Sequence, residues 1–124
     1  MNIINIEKLN GYKTIVLTGR DNHVRKIAIH LGARVYSAPR DTAYYEDYPM
    51  IAEDMKNRFA DINGLVIITT QNKEFLDCLL ESSMDFAMVT VRKFEYDDSD
   101  TYRLRVLTKE DALENRRAFK MELR

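Results

Sequence analysis

The stretch from Gly64 to Ser83, GLVIITTQNKEFLDCLLESS, decides the fold. Leu65 to Ile68 are continuously apolar and mostly β-branched, as in a strand covered on both faces by helices. Polar residues end this strand, and Asn72 can cap a helix whose apolar residues fall on one side, namely Phe75, Leu76, Leu79 and Leu80. The stretch therefore predicts a buried strand, a polar tip and an amphipathic helix. In open α/β sheets, ligands usually sit at such strand ends.

Upstream of this stretch the chain alternates between strand and helix patterns. Residues 3–9 and 12–18 read as strands, with a turn at Asn10-Gly11 and a break at Gly19. From Asn22 onward an apolar stripe at i, i+3, i+4 and i+7 predicts a helix that Gly32 ends, formed by Val24, Ile27, Ala28 and Leu31. Residues 33–38 read as a strand and residues 40–47 as a loop. Pro49 then opens a helix whose apolar face is Ile51, Met55, Phe59 and Ile62.

Downstream, the pattern changes to a period of two. In residues 86–91 and 102–106, successive side chains fall alternately on the two sides of a strand. The two segments lie on either side of a polar turn, Asp97-Asp98-Ser99-Asp100, and this pattern predicts a hairpin. Thr108 and Asp111 resemble a capping box that opens a last helix through Leu123, with Ala112, Leu113 and Phe119 inward. The order of elements predicts an α/β fold: a three-layer, mostly parallel sheet with helices on both faces, finished by an antiparallel hairpin and a helix.

Composition places the chain among ordinary globular proteins. Its 124 residues suit a single domain spanning residues 1–124, and its net charge of -1 provides no global attraction to nucleic acid or to an anionic membrane. Cys78 is the only cysteine, which favours a reduced, cytoplasmic setting. The N-terminal MNIINIEKLN has no long apolar run, so neither a signal peptide nor a membrane anchor is predicted.

The turn after the strand at residues 12–18 is the first place to look for phosphate binding. A glycine between a strand and a helix N-terminus is the geometry that cradles phosphates, and here it reads Gly19-Arg20-Asp21-Asn22-His23-Val24-Arg25-Lys26. Against the pattern GxxxxGK[ST], Val24 replaces the second glycine, Arg25 the lysine and Lys26 the hydroxyl residue. The cationic residues of this turn have a simpler reading as a solvated surface.

The spacing of these motifs resembles the head domain of ABC-type ATPases of the RecF, OLD and SMC-like group, in the compact form of small AAA-like ATP-binding proteins. Thr69-Thr70-Gln71-Asn72 matches the switch "TTHS", and Lys73-Glu74-Phe75-Leu76 stands in place of "PEFL". Ser37-Ala38-Pro39-Arg40 lies where "DEPE" would be. The hairpin and the tail, ending in Glu122-Leu123-Arg124, also resemble those proteins. The signature-motif insertion is missing, since little more than Gly32 separates the first helix from the next strand.

The resemblance implies a P-loop-NTPase-like head without its hydrolytic apparatus. Ser37 replaces the Walker B aspartate, Ala38 the catalytic glutamate and Gln71 the switch histidine. Losing a metal ligand, a base and a phosphate lysine together removes most of what phosphoryl transfer needs. The implied cofactor-binding positions are degenerate: Gly19, Arg20, Arg25, Lys26 and Gln71. We therefore expect no catalytic residue, no bound metal and no ATP or Mg²⁺ cofactor, and a protein partner: the chain itself or an active ATPase of this group.

Other readings remain open. A Toprim-like, Mg²⁺-dependent nuclease or nucleotide-binding domain would use acids that converge at the strand ends, drawn from Asp21, Asp41, Glu46 and Asp47. A nucleic-acid-binding module would use the basic residues of the hairpin, Arg92, Lys93, Arg103 and Arg105. The acidic residues of 41–47 and the nearby Tyr44, Tyr45 and Tyr48 also read as an ordinary packed loop. His23 and His30 are about two helical turns apart, too far for one metal.

Overall fold

The computed structural model describes residues 1–38, 44–94 and 100–116. Over these ranges the chain forms a six-stranded sheet and four α-helices. The strands are β1 (Asn2–Ile4), β2 (Thr14–Thr18), β3 (Arg34–Ser37), β4 (Val66–Thr69), β5 (Ala87–Lys93) and β6 (Thr101–Leu107). The helices are α1 (Asp21–Leu31), α2 (Tyr48–Phe59), α3 (Lys73–Glu81) and α4 (Lys109–Glu114). The predicted α/β class is confirmed.

The sheet is mostly parallel, with the strand order β1-β6-β5-β2-β4-β3. β2 pairs in parallel with both β4 and β5, and β3 pairs in parallel with β4. β5 and β6 form the predicted antiparallel hairpin, and β1 adds to its outer edge. The interior strands β2 and β4 are continuously apolar at their centres, because a strand buried on both faces needs apolar side chains in both directions.

Helices cover both faces of the sheet and make three layers. Consecutive side chains of a strand point to opposite faces. In β2, accordingly, Val16 packs with α2, α3 and α4, whereas Ile15 and Leu17 pack with α1. On α3, the residues predicted to face inward are all at most 1% exposed: Phe75, Leu76, Leu79 and Leu80. Both β4 and α3, the strand and helix of the stretch Gly64 to Ser83, therefore contribute to the buried core.

The helix starts predicted at Asn72 and Thr108 and the helix end predicted at Gly32 are confirmed. The Asn72 side chain accepts a hydrogen bond from the Phe75 amide at 2.9 Å and caps α3. Thr108 accepts one from the Asp111 amide at 3.1 Å and caps α4. Pro49 lies in the first turn of α2, and Gly32 ends α1 with a φ of 62° in the left-handed region.

The predicted strand at residues 3–9 is wrong in its second half. β1 ends at Ile4, and Ile6–Leu9 form a 3₁₀-helix. Asn5 explains the change, because its φ of 73° is left-handed and its side-chain amide donates to the Leu104 carbonyl at 3.1 Å. The chain therefore turns away from the sheet after only three residues of pairing with β6.

Other predictions also need correction. Tyr45–Asp47, expected to be a loop, form a 3₁₀-helix that leads into α2. α2 ends at Phe59, so Ile62, predicted to lie on its apolar face, follows the helix. The buried face of α2 is instead Tyr48, Ala52, Met55 and Phe59, and Ile51 is only half-buried.

The last helix was predicted to continue through Leu123, but α4 ends at Glu114, where Asn115 leaves the helical conformation. Some predictions lie outside the described residues: Pro39, Arg40 and Asp41, the turn residues 97–99, and the inward positions of Phe119 and Leu123.

Candidate functional site

The carboxyl ends of β2 and β4 form the point where the fold offers a ligand site. These two strands are neighbours. The chain leaves β2 toward α1 on one face of the sheet, and it leaves β4 toward α3 on the opposite face. Neighbouring strands whose connections diverge in this way leave a crevice between them, where α/β proteins bind ligands. Gly19, Ser37 and Gln71, far apart in sequence, each lie at or next to a strand end at this edge.

The connection between β2 and α1 is only two residues long. β2 ends at Thr18 and α1 begins at Asp21, so that Gly19 and Arg20 alone join them. Arg20 is the N-cap, and its carbonyl accepts the Val24 amide at 2.9 Å. Arg25 and Lys26 therefore lie on the helix itself, where both are exposed. The eight residues from Gly19 to Lys26 do not form a loop that wraps around an anion.

Gly19 is required by packing within the fold. Its φ is +143°, and a β-carbon at this position would lie 2.9 Å from the Val91 carbonyl oxygen of β5. Val24, at the position of the second glycine of a phosphate loop, is buried and packs beneath the turn. The glycine that suggested phosphate binding in the sequence thus lets the chain turn tightly against β5.

The first turn of α1 contains a carboxylate, that of Asp21. The Gln71 side chain, at the end of β4, donates a hydrogen bond from Nε2 to Oδ1 of Asp21 at 2.9 Å. Asp21 is the first residue of α1, where a carboxylate interacts favourably with the helix dipole. The negative charge of Asp21 therefore lies where a phosphate would have to approach the helix N-terminus. The sequence named both residues for separate roles but did not predict that they pair.

The end of β3 offers hydroxyl groups in place of carboxylates. Oγ of Ser37 lies 2.8 Å from Oγ1 of Thr69 on β4, and the Ala38 amide donates to the Thr69 carbonyl at 3.1 Å. These neutral groups satisfy one another across the two strand ends. A divalent cation prefers oxygen ligands that include carboxylates, and neither Ser37 nor Ala38 supplies one.

A groove of about 770 Å³ runs from these strand ends along α1 to β3. Asp21, Arg25 and Gln71 line its polar end, and Val24, Ala28 and Val35 are among its apolar lining. Its two sides carry large apolar side chains in contact with solvent, since Ile29 is 73% exposed and Val35 46% exposed. Ile29 lies outside the apolar stripe of α1, and this departure is the sequence signal that could have indicated an apolar surface here.

The acids of the metal hypothesis are not brought together. Asp21 opens α1, whereas Glu46 and Asp47 precede α2, and Asp41 lies outside the described residues. In residues 1–38, 44–94 and 100–116, no group of three or more histidine, cysteine, aspartate or glutamate side chains is placed to hold a metal ion. His23 instead packs edge-on against the Tyr102 ring, with 5.5 Å between the ring centroids.

The basic residues of the hairpin divide between its two faces. Arg92 lies directly opposite Arg103, and Thr90 lies opposite Arg105, so the three arginines share one face. Lys93 is paired with Tyr102 and belongs to the other face. The predicted four-residue basic cluster is therefore a cluster of three arginines.

Cys78 is half-buried on α3 and packs beside the core on the α2 and α3 side of the sheet. Burial raises the pKa of its thiol, and the negative charges of Glu81 and Asp77 raise it further. Because the thiolate is the reactive form, Cys78 should be less reactive at neutral pH than a free cysteine.

We therefore expect Cys78 in the folded protein to react with a disulfide reagent more slowly than free cysteine at about pH 7.5. The reaction rate should rise with pH, and its midpoint should lie at a higher pH than that of the free thiol, because the raised pKa of Cys78 means that its thiol loses its proton at a higher pH. The urea-unfolded protein serves as the control and should react like the free amino acid. Equal rates for the folded and unfolded chains would contradict a buried, protonated thiol.

Comparisons with known proteins complete the description of the site. Searches against protein-family models, curated proteins and solved structures found no match. No helix in the described ranges is both long enough and apolar enough to cross a membrane. The geometry of the strand ends and the surfaces around them are therefore the features that bear on function.

Proposed function

We propose that this chain is a non-catalytic protein-interaction or regulatory domain. It is similar to a minimal ABC-type ATPase head and pairs with itself or with an active ATPase. The observation that carries the proposal is the two-residue connection between β2 and α1, which leaves no phosphate loop. A P-loop encloses phosphates with successive backbone amides and a lysine. Here those positions belong to the helix, and an aspartate occupies its first turn.

The surroundings of this connection support the same conclusion. Ser37 and Ala38 stand where the resembled family has the acidic pair that would hold Mg²⁺ and activate water, and the Ser37 hydroxyl is hydrogen-bonded to that of Thr69. Phosphoryl transfer depends on positioning and on charge stabilisation by a metal and a cation. The site therefore lacks the acidic metal ligands of a nucleotide site, and it places the carboxylate of Asp21 where a triphosphate would approach the helix.

The groove supports a role in protein interaction. Ile29 and Val35 expose apolar surface on its two sides, and apolar surface of this kind marks contact sites when it is gathered in one place. The open edge of the sheet at β3 borders the same groove. ATPase heads of the resembled group work as dimers across their nucleotide sites, so a domain of this type could pair with an active head and regulate it.

Calorimetric titration tests the absence of a nucleotide site. We expect no saturable heat when ATP·Mg²⁺ or Mg²⁺ alone is added up to about 1 mM, because a ligand weaker than that gains less than about 4 kcal/mol. A saturable heat with ATP·Mg²⁺ would overturn the proposal. A saturable heat with Mg²⁺ alone would support the alternative of a metal-dependent nuclease or nucleotide-binding domain.

Sedimentation of the purified chain, alone and mixed with a candidate ATPase, tests the interaction. The variant with Ile29→Ser and Val35→Ser should associate more weakly than the native chain, because it removes the apolar sides of the groove. Met50→Ser is the matched control, since Met50 on α2 is 67% exposed and lies outside the groove. Equal association of all three proteins would place the contact elsewhere.

A further inference from the structure

β3 is an outer strand of the sheet, and one of its edges has no strand beside it in the part of the chain that the structure describes. β3 comes last in the strand order, next to β4. The Ala38 amide donates to the Thr69 carbonyl of β4. Because the backbone groups of successive residues in a strand point to opposite edges, those of Tyr36 also point to β4, and those of Val35 and Ser37 point away from it. Such an edge presents donors and acceptors that another strand can pair with.

Apolar side chains extend this edge on the face of the sheet that α1 covers. Val35 and Ile29 are both exposed there, and both border the groove between α1 and β3. Outer strands that stay unpaired usually carry charges, prolines or bulges along the edge. β3 has a single charged residue, Arg34, and an exposed β-branched residue beside it. The edge is therefore suited to contact with another strand.

β3 is complementary to a second copy of itself. When the two strands run antiparallel with Val35 opposite Val35 of the second copy, their outward backbone groups face each other and can exchange hydrogen bonds. On the α1 face, this register brings the two valines together, with the exposed Ile29 side chains nearby. On the α2 face, it sets Arg34 opposite Tyr36 of the second copy. Apolar groups thus meet apolar groups, and a cation meets an aromatic ring.

The contact between Arg34 and Tyr36 supplies what each chain lacks alone. Arg34 is exposed, and in residues 1–38, 44–94 and 100–116 it makes no hydrogen bond, ion pair or ring contact. Tyr36 is half-buried, and its ring is held by that of Phe59, with 4.7 Å between the centroids. A guanidinium group is attracted to the face of a tyrosine ring. Antiparallel residues that share no hydrogen bonds are the closest pairs in a sheet, so the two side chains can reach each other.

Other registers of the same two strands are less favourable. A shift by one residue sets outward backbone groups against groups that already point to β4, so the hydrogen bonds are lost. A shift by two residues in one direction places Arg34 opposite Arg34 of the second copy, and like charges directly opposite each other are destabilising. The same shift in the other direction places Val35 opposite Ser37 and separates the two valines. The side chains of β3 therefore select the register centred on Val35.

We propose that two copies of this chain pair through β3 as antiparallel outer strands and join their sheets into one continuous sheet, with a two-fold axis at Val35. The inference rests on the proposed role in protein interaction, and it names the partner, a second copy, and the backbone edge that it contacts. A two-fold contact uses the same edge of both copies, so the assembly closes as a dimer and does not extend into a fibre.

Disulfide crosslinking tests the register. In a Cys78→Ala background, Val35→Cys should give a disulfide-linked dimer under mild oxidation. Residues opposite each other in a hydrogen-bonded pair have Cα atoms about 5.5 Å apart, a distance that a disulfide spans. Ser37→Cys in the same background is the matched control. Ser37 is exposed on the same strand, but in this register it lies about 13 Å from Ser37 of the second copy and should not crosslink.

Sedimentation equilibrium tests the pairing without a crosslink. The native chain should be dimeric at about 100 µM, and Val35→Lys should raise the dissociation constant at least about tenfold, because two lysines would lie opposite each other at the axis. Met50→Lys is the matched control, since Met50 is exposed on α2 and does not line the groove. This control should associate like the native chain, and circular dichroism should show that both variants are folded.

Two results would overturn self-pairing through β3. One is a native chain that stays monomeric at about 100 µM, and the other is equal crosslinking of Val35→Cys and Ser37→Cys. A monomeric chain that binds an active ATPase through the groove would overturn self-pairing and leave the proposed function standing. A dimer with the expected crosslink that also gives a saturable heat with ATP·Mg²⁺ would do the reverse, so the two proposals fail separately.

Discussion

Replacing Gly19 with alanine is expected to lower the free energy of unfolding by about 3 kcal/mol. The new β-carbon would lie 2.9 Å from the Val91 carbonyl oxygen, and the backbone φ of +143° is one that alanine rarely adopts. The carbonyl belongs to the β5 backbone, which is fixed in the centre of the sheet and cannot move away easily. Urea unfolding followed by circular dichroism measures the change.

Gly11→Ala is the matched control for this prediction. Gly11 also has a positive φ, +92°, but a β-carbon there meets nothing within 4 Å. The Gly11→Ala substitution should therefore lower the free energy of unfolding only by the backbone strain, about 1 kcal/mol. If the two variants were equally stable, the close approach of the β2–α1 turn to β5 would not be the reason for the glycine. Its positive φ alone would then explain the glycine at position 19.

Replacing Asn72 with alanine is expected to lower the free energy of unfolding by about 2 kcal/mol. The side chain makes two hydrogen bonds: Oδ1 accepts the Phe75 amide at 2.9 Å, and Nδ2 donates to the Tyr48 hydroxyl at 2.8 Å. The first caps α3 and the second ties α3 to the start of α2. Loss of the cap accounts for about half of the expected change and loss of the second bond for the rest.

The variant Asn72→Asp separates the two contributions. Aspartate keeps the acceptor that caps α3 and adds a negative charge that interacts favourably with the helix N-terminus. The free energy of unfolding of the Asn72→Asp variant should therefore fall by less than about 1 kcal/mol. Thermal unfolding of the native, alanine and aspartate proteins measures the difference. Equal losses in the two variants would show that the cap contributes nothing to stability.

The sequence predicted the elements of this fold because each one is encoded locally. The apolar stripe of α3, its Asn72 cap and the period-two pattern of the hairpin are properties of short segments, and all three were confirmed. The strand predicted at residues 3–9 failed because of a contact with a distant residue. Asn5 adopts a left-handed conformation, and its side chain donates to the carbonyl of Leu104, 99 residues away.

The candidate site was predicted less completely, because it depends on contacts between distant residues. Asp21 and Gln71 are 50 residues apart and meet only because β2 and β4 are neighbours. A glycine after a strand suggested a phosphate loop, and the sequence did not reveal that Val91 of β5 approaches the same glycine. The length of the β2–α1 connection, two residues, followed from where the helix begins.

The sequence by itself determined the α/β class, the order of most strands and helices along the chain, the caps at Asn72 and Thr108, and the inward face of α3, because hydrophobic periodicity and capping act over a few residues. Only the tertiary structure decided that Asp21 pairs with Gln71, that Ser37 pairs with Thr69, and that three of the four basic residues of the hairpin share a face. Strand order and register bring such residues together, and both are set by the packing of the whole sheet against its helices.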